Sequence, residues 1–211
     1  MLLSILGAGA SFDSVGHLRP PNLGPDIEED RPPLAKDLFA NRREFVRAMQ
    51  DFHECKALAS ILRPDGVSVE GELAKIQELA VSNVYPPAHK ELMAVRFYLQ
   101  LDISECELRW GSRHHGITNY ATLLREIERW RIEGGEPHVC FVTFNYDRML
   151  EHAIAQVLDF KIDRMSSYSQ QHYSILKLHG STNWAHPITG IGNPEEYTSR
   201  AIINDAANLS T

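Results

Sequence analysis

The segment 139–151, Val-Cys-Phe-Val-Thr-Phe-Asn-Tyr-Asp-Arg-Met-Leu-Glu, constrains the fold of this chain more than any other stretch. Its first six residues are apolar or β-branched, which predicts a strand buried on both faces of a sheet. Polar Asn145 and Asp147 follow, and then apolar residues recur at helical spacing. A strand that ends in an amide and a carboxylate just before a helix places both groups at the carboxyl edge of a parallel sheet, where open α/β sheets bind ligands.

Two further apolar runs end in short turns. Residues 2–6 lead into Gly7-Ala8-Gly9-Ala10-Ser11, and residues 174–178 lead into His179-Gly180-Ser181. Gly7 and Gly9 carry no Cβ, so the backbone can turn sharply there and come close to a ligand. A helix that opens near Ala10 would point its free N–H groups at a phosphate. The alternative is an ordinary strand–helix turn, because the full dinucleotide fingerprint needs a third glycine where this chain has Phe12.

The rest of the pattern predicts the architecture. The Pro-, Gly- and acid-rich segment 13–33 predicts a long loop, which we interpret as a lid. A helical pattern then runs from residue 34 to residue 134, and residues 160–165 predict a further strand. We therefore expect an α/β fold, a Rossmann-like parallel sheet of four or five strands, with residues 34–134 as a large helical insertion after the first strand. The alternative to a single domain over residues 1–211 is that the chain is a fragment of a longer protein.

The aromatic residues of the helical region are predicted to lie in the core rather than to form a stacking site: Phe97, Trp110 and Trp130. The last helix of this region is expected to begin at Thr118 or Asn119, which are favourable N-capping residues. It is expected to end at the two glycines 134 and 135.

Composition and charge argue against several classes of protein. The net charge of −7 argues against a nucleic-acid surface as the main function. The three cysteines are widely spaced and form no Cys-x-x-Cys pair, so neither a disulfide framework nor a zinc site is predicted. We expect no metal, and a reducing cytoplasmic location. No run approaches the roughly 18–20 apolar residues of a membrane span, which predicts a soluble protein.

Three segments occur in a characteristic order: Gly-Ala-Gly-Ala-Ser at 7–11, Phe-Asn-Tyr-Asp at 144–147 and Leu-His-Gly-Ser at 178–181. They resemble the sirtuin superfamily, and their extended forms at 31–39, 143–147 and 177–184 look like the sirtuin-like NAD-hydrolysing domains of bacterial anti-phage defence. The chain lacks the paired-cysteine zinc module and the Pro-Asp-Phe-Arg stretch of protein-deacylating sirtuins. The resemblance therefore implies NAD cleavage rather than deacylation.

The resemblance also implies roles for individual residues in an NAD+ glycohydrolase that releases nicotinamide and ADP-ribose and depletes NAD during phage infection. Asn145 would orient the ribose hydroxyl or the attacking water. His179 would be the general base, for which an ordinary imidazole pKa of about 6.5 is well suited. NAD, the substrate, would be bound by the glycine turn and by residues at the end of the second strand: Gly7, Ala8, Gly9, Ser11, Thr143 and Asp147. Asp147 would either contact the nicotinamide or brace its own loop.

Three alternative functions remain open on the sequence. The same loops could form a non-catalytic NAD- or ADP-ribose-binding module that regulates a partner. A protein deacylase and a hydride-transferring dehydrogenase are the other two, and Phe12 in place of the third glycine argues against the latter. If the chain is an NAD hydrolase, its toxicity leads us to expect restraint by oligomerisation, by a signal ligand or by a partner subunit.

Overall fold

A computed structural model describes the chain at residues 1–12, 14, 31–39, 46, 49–50, 52–62, 67–82, 85, 87–114, 118–135 and 138–184. The predicted lid at 13–33 lies mostly outside these residues. Everything after residue 184 lies outside them entirely.

The chain divides into two compact units, residues 1–34 with 103–184 and residues 35–102 with 185–211. The first unit contains the three strands that the structure describes and every predicted site residue. Residues 103–134, the last part of the helical insertion predicted at 34–134, belong to this unit.

The described strands form one small parallel sheet within a mixed α/β fold. Its strands are β1 (Leu2–Leu6), β2 (Val139–Thr143) and β3 (Tyr173–Lys177), in the order β1-β2-β3. All three strands were predicted from their apolar runs. The central strand β2 is the most buried, and Leu6, Thr143 and Lys177 are paired across the last rung of the sheet.

The strand predicted at 160–165 is wrong. Residues 160–163 have no regular structure, and Met165–Tyr168 form a 3-10 helix. Apolar and polar residues alternate here as in a half-buried strand. Phe160 and Ile162 nevertheless pack against the core from a loop, which begins at Asp159 with a left-handed φ of 56°. Burial of alternate residues is therefore achieved without a fourth strand at this position.

Six α-helices are described, together with 3-10 helices at Ala35–Asp37 and Met165–Tyr168. The α-helices are α1 (Ala8–Phe12), α2 (Cys55–Leu62), α3 (Val69–Val81), α4 (Pro87–His114), α5 (Asn119–Ile132) and α6 (Met149–Val157). In the part of the chain that the structure describes, no helix combines the length and the apolar character that a membrane crossing requires.

The core of the first unit lies where α5 and α6 pack together against one face of the sheet. The predicted start of α5 is confirmed, because the Thr118 side chain accepts a hydrogen bond from the backbone N–H of Ala121 at 3.2 Å. Trp110 is buried as predicted. Trp130 is not: 40% of its surface is exposed, because it lies beside the buried stripe of α5 and packs over Gly135 instead.

The second unit has its own buried contacts. Tyr98 is fully buried, and its hydroxyl donates to the carbonyl oxygen of Leu38. Phe97 is partly buried and stacks on Phe52, with ring centroids 6.3 Å apart.

Candidate functional site

The three motif turns begin at the same edge of the sheet, because Gly7, Phe144 and Leu178 directly follow the last paired rung. The backbone N–H of Phe144 donates to the carbonyl of Leu6 at 3.1 Å, and that of Leu178 donates to the carbonyl of Thr143 at 3.0 Å. Neighbouring strands lie about 4.8 Å apart, so the first and third turns are separated by roughly 10 Å at their bases.

Asn145 joins the first turn to the second. Its side-chain nitrogen, Nδ2, lies 2.9 Å from the carbonyl oxygen of Gly7, 2.9 Å from Ser11 Oγ and 3.0 Å from Tyr120 Oη. The backbone N–H of Asn145 donates to Thr143 Oγ1 at 3.1 Å. Since an amide nitrogen carries two hydrogens, one donates to Gly7 and the other lies between the two hydroxyls.

The carbonyl oxygen of the Asn145 side chain, Oδ1, is buried and has no hydrogen-bond partner among the residues that the structure describes. The amide cannot turn over to satisfy it, because the carbonyl of Gly7 only accepts and therefore needs the nitrogen facing it. A buried acceptor without a donor costs about 1–3 kcal/mol. A ligand or water molecule that supplies a donor at this position would therefore be bound favourably.

Ser11 faces the interior rather than the open side of the glycine turn. It is the buried residue of α1, with 1% of its surface exposed, and its Oγ lies 2.8 Å from Tyr120 Oη. The Ser11 hydroxyl also favours the ionised form of the Asp147 carboxyl group, because it lowers the pKa of Asp147. In this geometry the Ser11 hydroxyl, predicted to bind the diphosphate, is instead part of the network that holds Asn145.

Asp147 braces its own loop. Its Oδ1 accepts a hydrogen bond from the backbone N–H of Met149, the first residue of α6, at 3.0 Å. Burial raises the pKa of Asp147, although the hydrogen bonds from Ser11 and Met149 and the charge of Lys177 oppose the rise. The structure favours the bracing role, because the carboxyl group already holds the first residue of α6.

Tyr120 is the member of this network that sequence reasoning missed. It lies in the first turn of α5, 2% exposed, and its hydroxyl reaches both Ser11 and Asn145. Burial, and then the negative charge of Asp147, raise the pKa of Tyr120, so its hydroxyl stays protonated at neutral pH. The only signal in the sequence was its place in the apolar stripe of a helix, which indicates burial but not this contact.

His179 lies in the turn after β3 and is exposed. Its ring contacts Phe144 edge-on at a centroid distance of 5.3 Å and Tyr146 at 5.8 Å, the two residues on either side of Asn145. Neither ring nitrogen hydrogen-bonds to a described residue. The structure therefore brings the imidazole to the second turn through aromatic packing on the two neighbours of Asn145.

The glycine turn is open to solvent. Gly7 and Gly9 are exposed, and a Cβ built on either of them would meet no atom within 4 Å. Neither glycine has the left-handed φ that would require glycine for conformational reasons. The packing of the described chain does not explain glycine at these positions, whereas close approach of a ligand would.

A buried group of charged and hydroxyl side chains connects the end of β3 to the loop before α6. Lys177, at the end of β3, donates to the carbonyl oxygen of Asp147 and to Glu151 Oε1. The hydroxyl of Tyr168 also donates to Glu151, at 3.1 Å, and receives a hydrogen bond from the indole N–H of Trp184. The third turn is thus tied to the loop that carries Asn145.

Glu107 of α4 anchors the residue that follows Asp147. Its carboxylate accepts from the backbone N–H of Arg148 at 3.0 Å, from the guanidinium of Arg148 at 2.9 Å and from His152 Nε2 at 2.8 Å. Burial alone would raise the pKa of Glu107, but the hydrogen bonds from His152 and Arg148 and the charge of Arg148 lower it overall.

Among the described residues no group of three or more His, Cys, Asp or Glu side chains could hold a metal ion. The edge of the sheet instead combines an open glycine turn, a buried amide with one unused acceptor, and an exposed imidazole. Comparison of the chain with protein-family models, with curated proteins and with solved structures gave no match, so the site is interpreted from its own geometry.

Proposed function

We propose that the chain is an NAD+ glycohydrolase that cleaves the bond between nicotinamide and ribose. The observation that carries the proposal is the unused acceptor Oδ1 of Asn145, whose amide nitrogen donates to the carbonyl of an open glycine turn at the carboxyl edge of a parallel sheet. The proposal includes a Rossmann-like assignment for this sheet, since ligands of such folds bind outside the carboxyl ends of the strands.

In this proposal the glycine turn lies against the diphosphate of NAD+, because Gly7 and Gly9 leave space for close approach of the backbone. Asn145 Oδ1 accepts a hydrogen bond from a ribose hydroxyl or from the attacking water. Ser11, Thr143 and Asp147 hold Asn145 and its loop in place and do not contact the ligand directly.

The chemical step does not need a strong general acid. Cleavage passes through an oxocarbenium-like transition state, and nicotinamide leaves as a neutral molecule with the electron pair of the broken bond. The oxygen of water forms the new bond to the ribose carbon, and His179 takes the proton that water loses. The products are nicotinamide, ADP-ribose and one proton.

The biological role that we propose rests on the sequence resemblance alone. NAD depletion by this enzyme would act in the bacterial cytoplasm as an anti-phage effector, restrained until oligomerisation, a signal ligand or a partner subunit releases it.

A second candidate function is a non-catalytic module that binds NAD or ADP-ribose. The observation that favours it is the His179 ring, which packs on Phe144 and Tyr146 but has no hydrogen-bond partner among the described residues to orient it. A general base is usually held by such a partner.

The deciding experiment incubates the purified chain with NAD+ over a range of protein concentrations and measures free nicotinamide by chromatography. We expect release by the wild type and loss of release in Asn145→Ala and His179→Ala, with melting curves that show folded variants. His53→Ala, which removes an exposed histidine of the second unit, is the matched control and should keep full activity.

The two candidates give different results in this experiment. A rise in melting temperature with NAD+ but no nicotinamide at any concentration supports the binding module and overturns the hydrolase. If neither effect is seen, both proposals are wrong. Full turnover by His179→Ala would remove the imidazole from the mechanism.

A further inference from the structure

Tyr120 lies outside all three motif turns, yet its hydroxyl hydrogen-bonds to a residue of the first turn and to a residue of the second. The position of Tyr120 is fixed by its surroundings. It lies two residues after the N-cap Thr118, and its ring belongs to the core of the first unit. The hydroxyl is 2.8 Å from Ser11 Oγ and 3.0 Å from Asn145 Nδ2.

One end of this network fixes the direction of two hydrogen bonds. The nitrogen of the Asn145 amide can only donate, so the hydroxyls of Ser11 and Tyr120 both accept from it. In the hydrogen bond between the two hydroxyls, either group can be the donor. Tyr120 Oη therefore presents lone pairs to the Asn145 amide.

We propose that Tyr120 is a positioning residue that fixes the Asn145 amide so that Oδ1 is presented to the ligand. The hydroxyl does this in two ways: it accepts from Nδ2, and it holds Ser11 where Ser11 can also face Nδ2. Through these contacts a helix of the chain's middle region controls the geometry of both the first and the second turn. The role in catalysis rests on the proposed hydrolase function, whereas the positioning of Asn145 does not.

Loss of the hydroxyl would leave one side of the amide unsupported. In Tyr120→Phe, Ser11 loses its hydrogen bond to the Tyr120 hydroxyl, and the Asn145 amide loses one of its three contacts. The ligand would still find the open glycine turn, but Oδ1 would no longer be held in one position. The effect should therefore fall on the chemical step rather than on binding.

The test compares Tyr120→Phe with Tyr173→Phe. Tyr173 is also a buried tyrosine of the first unit, and its hydroxyl bonds to Glu128, away from the motif turns. Both variants remove the hydroxyl of a buried tyrosine, which makes two hydrogen bonds in Tyr120 and one to Glu128 in Tyr173. Only Tyr120→Phe should lower kcat, by about 10-fold with KM changed less than about 2-fold, as expected when one hydrogen bond to the reacting state is lost.

A second measurement does not depend on NAD. With asparagine labelled selectively with ¹⁵N, the side-chain NH₂ signals of Asn145 are identified by their loss in Asn145→Ala. We expect these hydrogens to exchange slowly with solvent in the wild type and in Tyr173→Phe. In Tyr120→Phe the NH₂ signals of Asn145 should shift, and the two hydrogens should exchange faster with solvent.

The outcomes separate the two proposals. If the wild type releases no nicotinamide, the hydrolase function fails, and the NMR signals alone decide whether Tyr120 positions Asn145. Unchanged signals in Tyr120→Phe overturn the positioning role, and an unchanged kcat overturns its part in the reaction. Should Tyr120→Phe not fold, Ser11→Ala removes the neighbouring hydroxyl and must give the same NMR change.

Discussion

Lys177 Nζ lies 2.8 Å from Glu151 Oε1, with the two side chains 0% and 6% exposed. Lys177 ends β3 and Glu151 lies in the first turn of α6, so this buried ion pair joins the strand before His179 to the helix after Asp147. The second oxygen of Glu151 has no hydrogen-bond partner among the described residues. Lys177 is therefore the main group that stabilises the negative charge of Glu151.

Replacing Lys177 with methionine should destabilise the protein by about 3–5 kcal/mol, because it leaves the Glu151 carboxylate buried without a counter-charge. Urea unfolding at pH 7 measures the change. The double variant Lys177→Met/Glu151→Leu removes both charges and should recover most of the loss. If it is as unstable as the single variant, the uncompensated charge is not the cause.

Glu107→Gln should make the free energy of unfolding less dependent on pH. The folded-state pKa of Glu107 is lowered, so its unfolded-state pKa is the higher of the two. The stabilisation by ionised Glu107 is then fully present above the ordinary value of 4.5 and is lost as the pH falls through the folded-state pKa. At pH 7 the variant should be less stable by about 1–3 kcal/mol.

Urea unfolding of wild type and Glu107→Gln at several pH values from 7 downwards measures this effect, and the difference between them should shrink in acid. Glu126→Gln is the control, because Glu126 and Arg129 form an exposed ion pair that contributes at most about 1 kcal/mol. A difference that stays constant with pH would contradict the assignment to Glu107.

Gly9→Ala should keep or raise stability while weakening the use of NAD+. Alanine favours a helix over glycine by about 0.5–1 kcal/mol, and a Cβ at Gly9 meets no other atom. The added methyl group would stand where the diphosphate is proposed to approach, so KM should rise by about 10-fold or more, equivalent to at least about 1.4 kcal/mol. Thermal unfolding and steady-state kinetics measure the two effects.

Gly71→Ala is the matched control for Gly9→Ala. Gly71 lies in α3 of the second unit, and an added Cβ there makes only an ordinary contact with Ser68 at 3.5 Å. It should leave KM unchanged. Equal KM values for Gly9→Ala and wild type would show that the turn does not face the substrate.

Asn145→Asp should destabilise the fold although the two side chains have the same shape. It replaces the nitrogen that donates to Gly7 with an oxygen, which is repelled by the Gly7 carbonyl. We expect a loss of about 3 kcal/mol at pH 7 and a smaller one in acid, where a protonated carboxyl can donate. Chemical unfolding at both pH values measures it.

Asn119→Asp makes the same substitution at the exposed first residue of α5 and should change stability little, since acidic residues are favourable at helix N-termini. If Asn145→Asp is as stable as wild type at pH 7, the wild-type Asn145 amide faces Gly7 with its oxygen. Oδ1 is then not the unused acceptor of the site.

Local patterns in the sequence were enough to identify the elements that carry the site. The apolar runs of β1, β2 and β3 predicted three strands, and polar residues directly after them predicted turns at one edge. The start of α5 at Thr118 was predicted from capping chemistry, which acts over a few residues. The same rules failed at residues 160–163, where an alternating pattern is satisfied by a loop on the core.

The sequence by itself determined which residues stand at the ends of the strands, because strand formation and chain reversal depend on neighbouring residues. Only the tertiary structure decided what those residues touch. Tyr120 and Ser11 are 109 positions apart, and Ser11 and Asn145 are 134 apart, yet all three share hydrogen bonds. Such contacts form only when α5 packs on the sheet. The periodicity of the sequence predicts which residues are buried, but not which buried side chains contact each other.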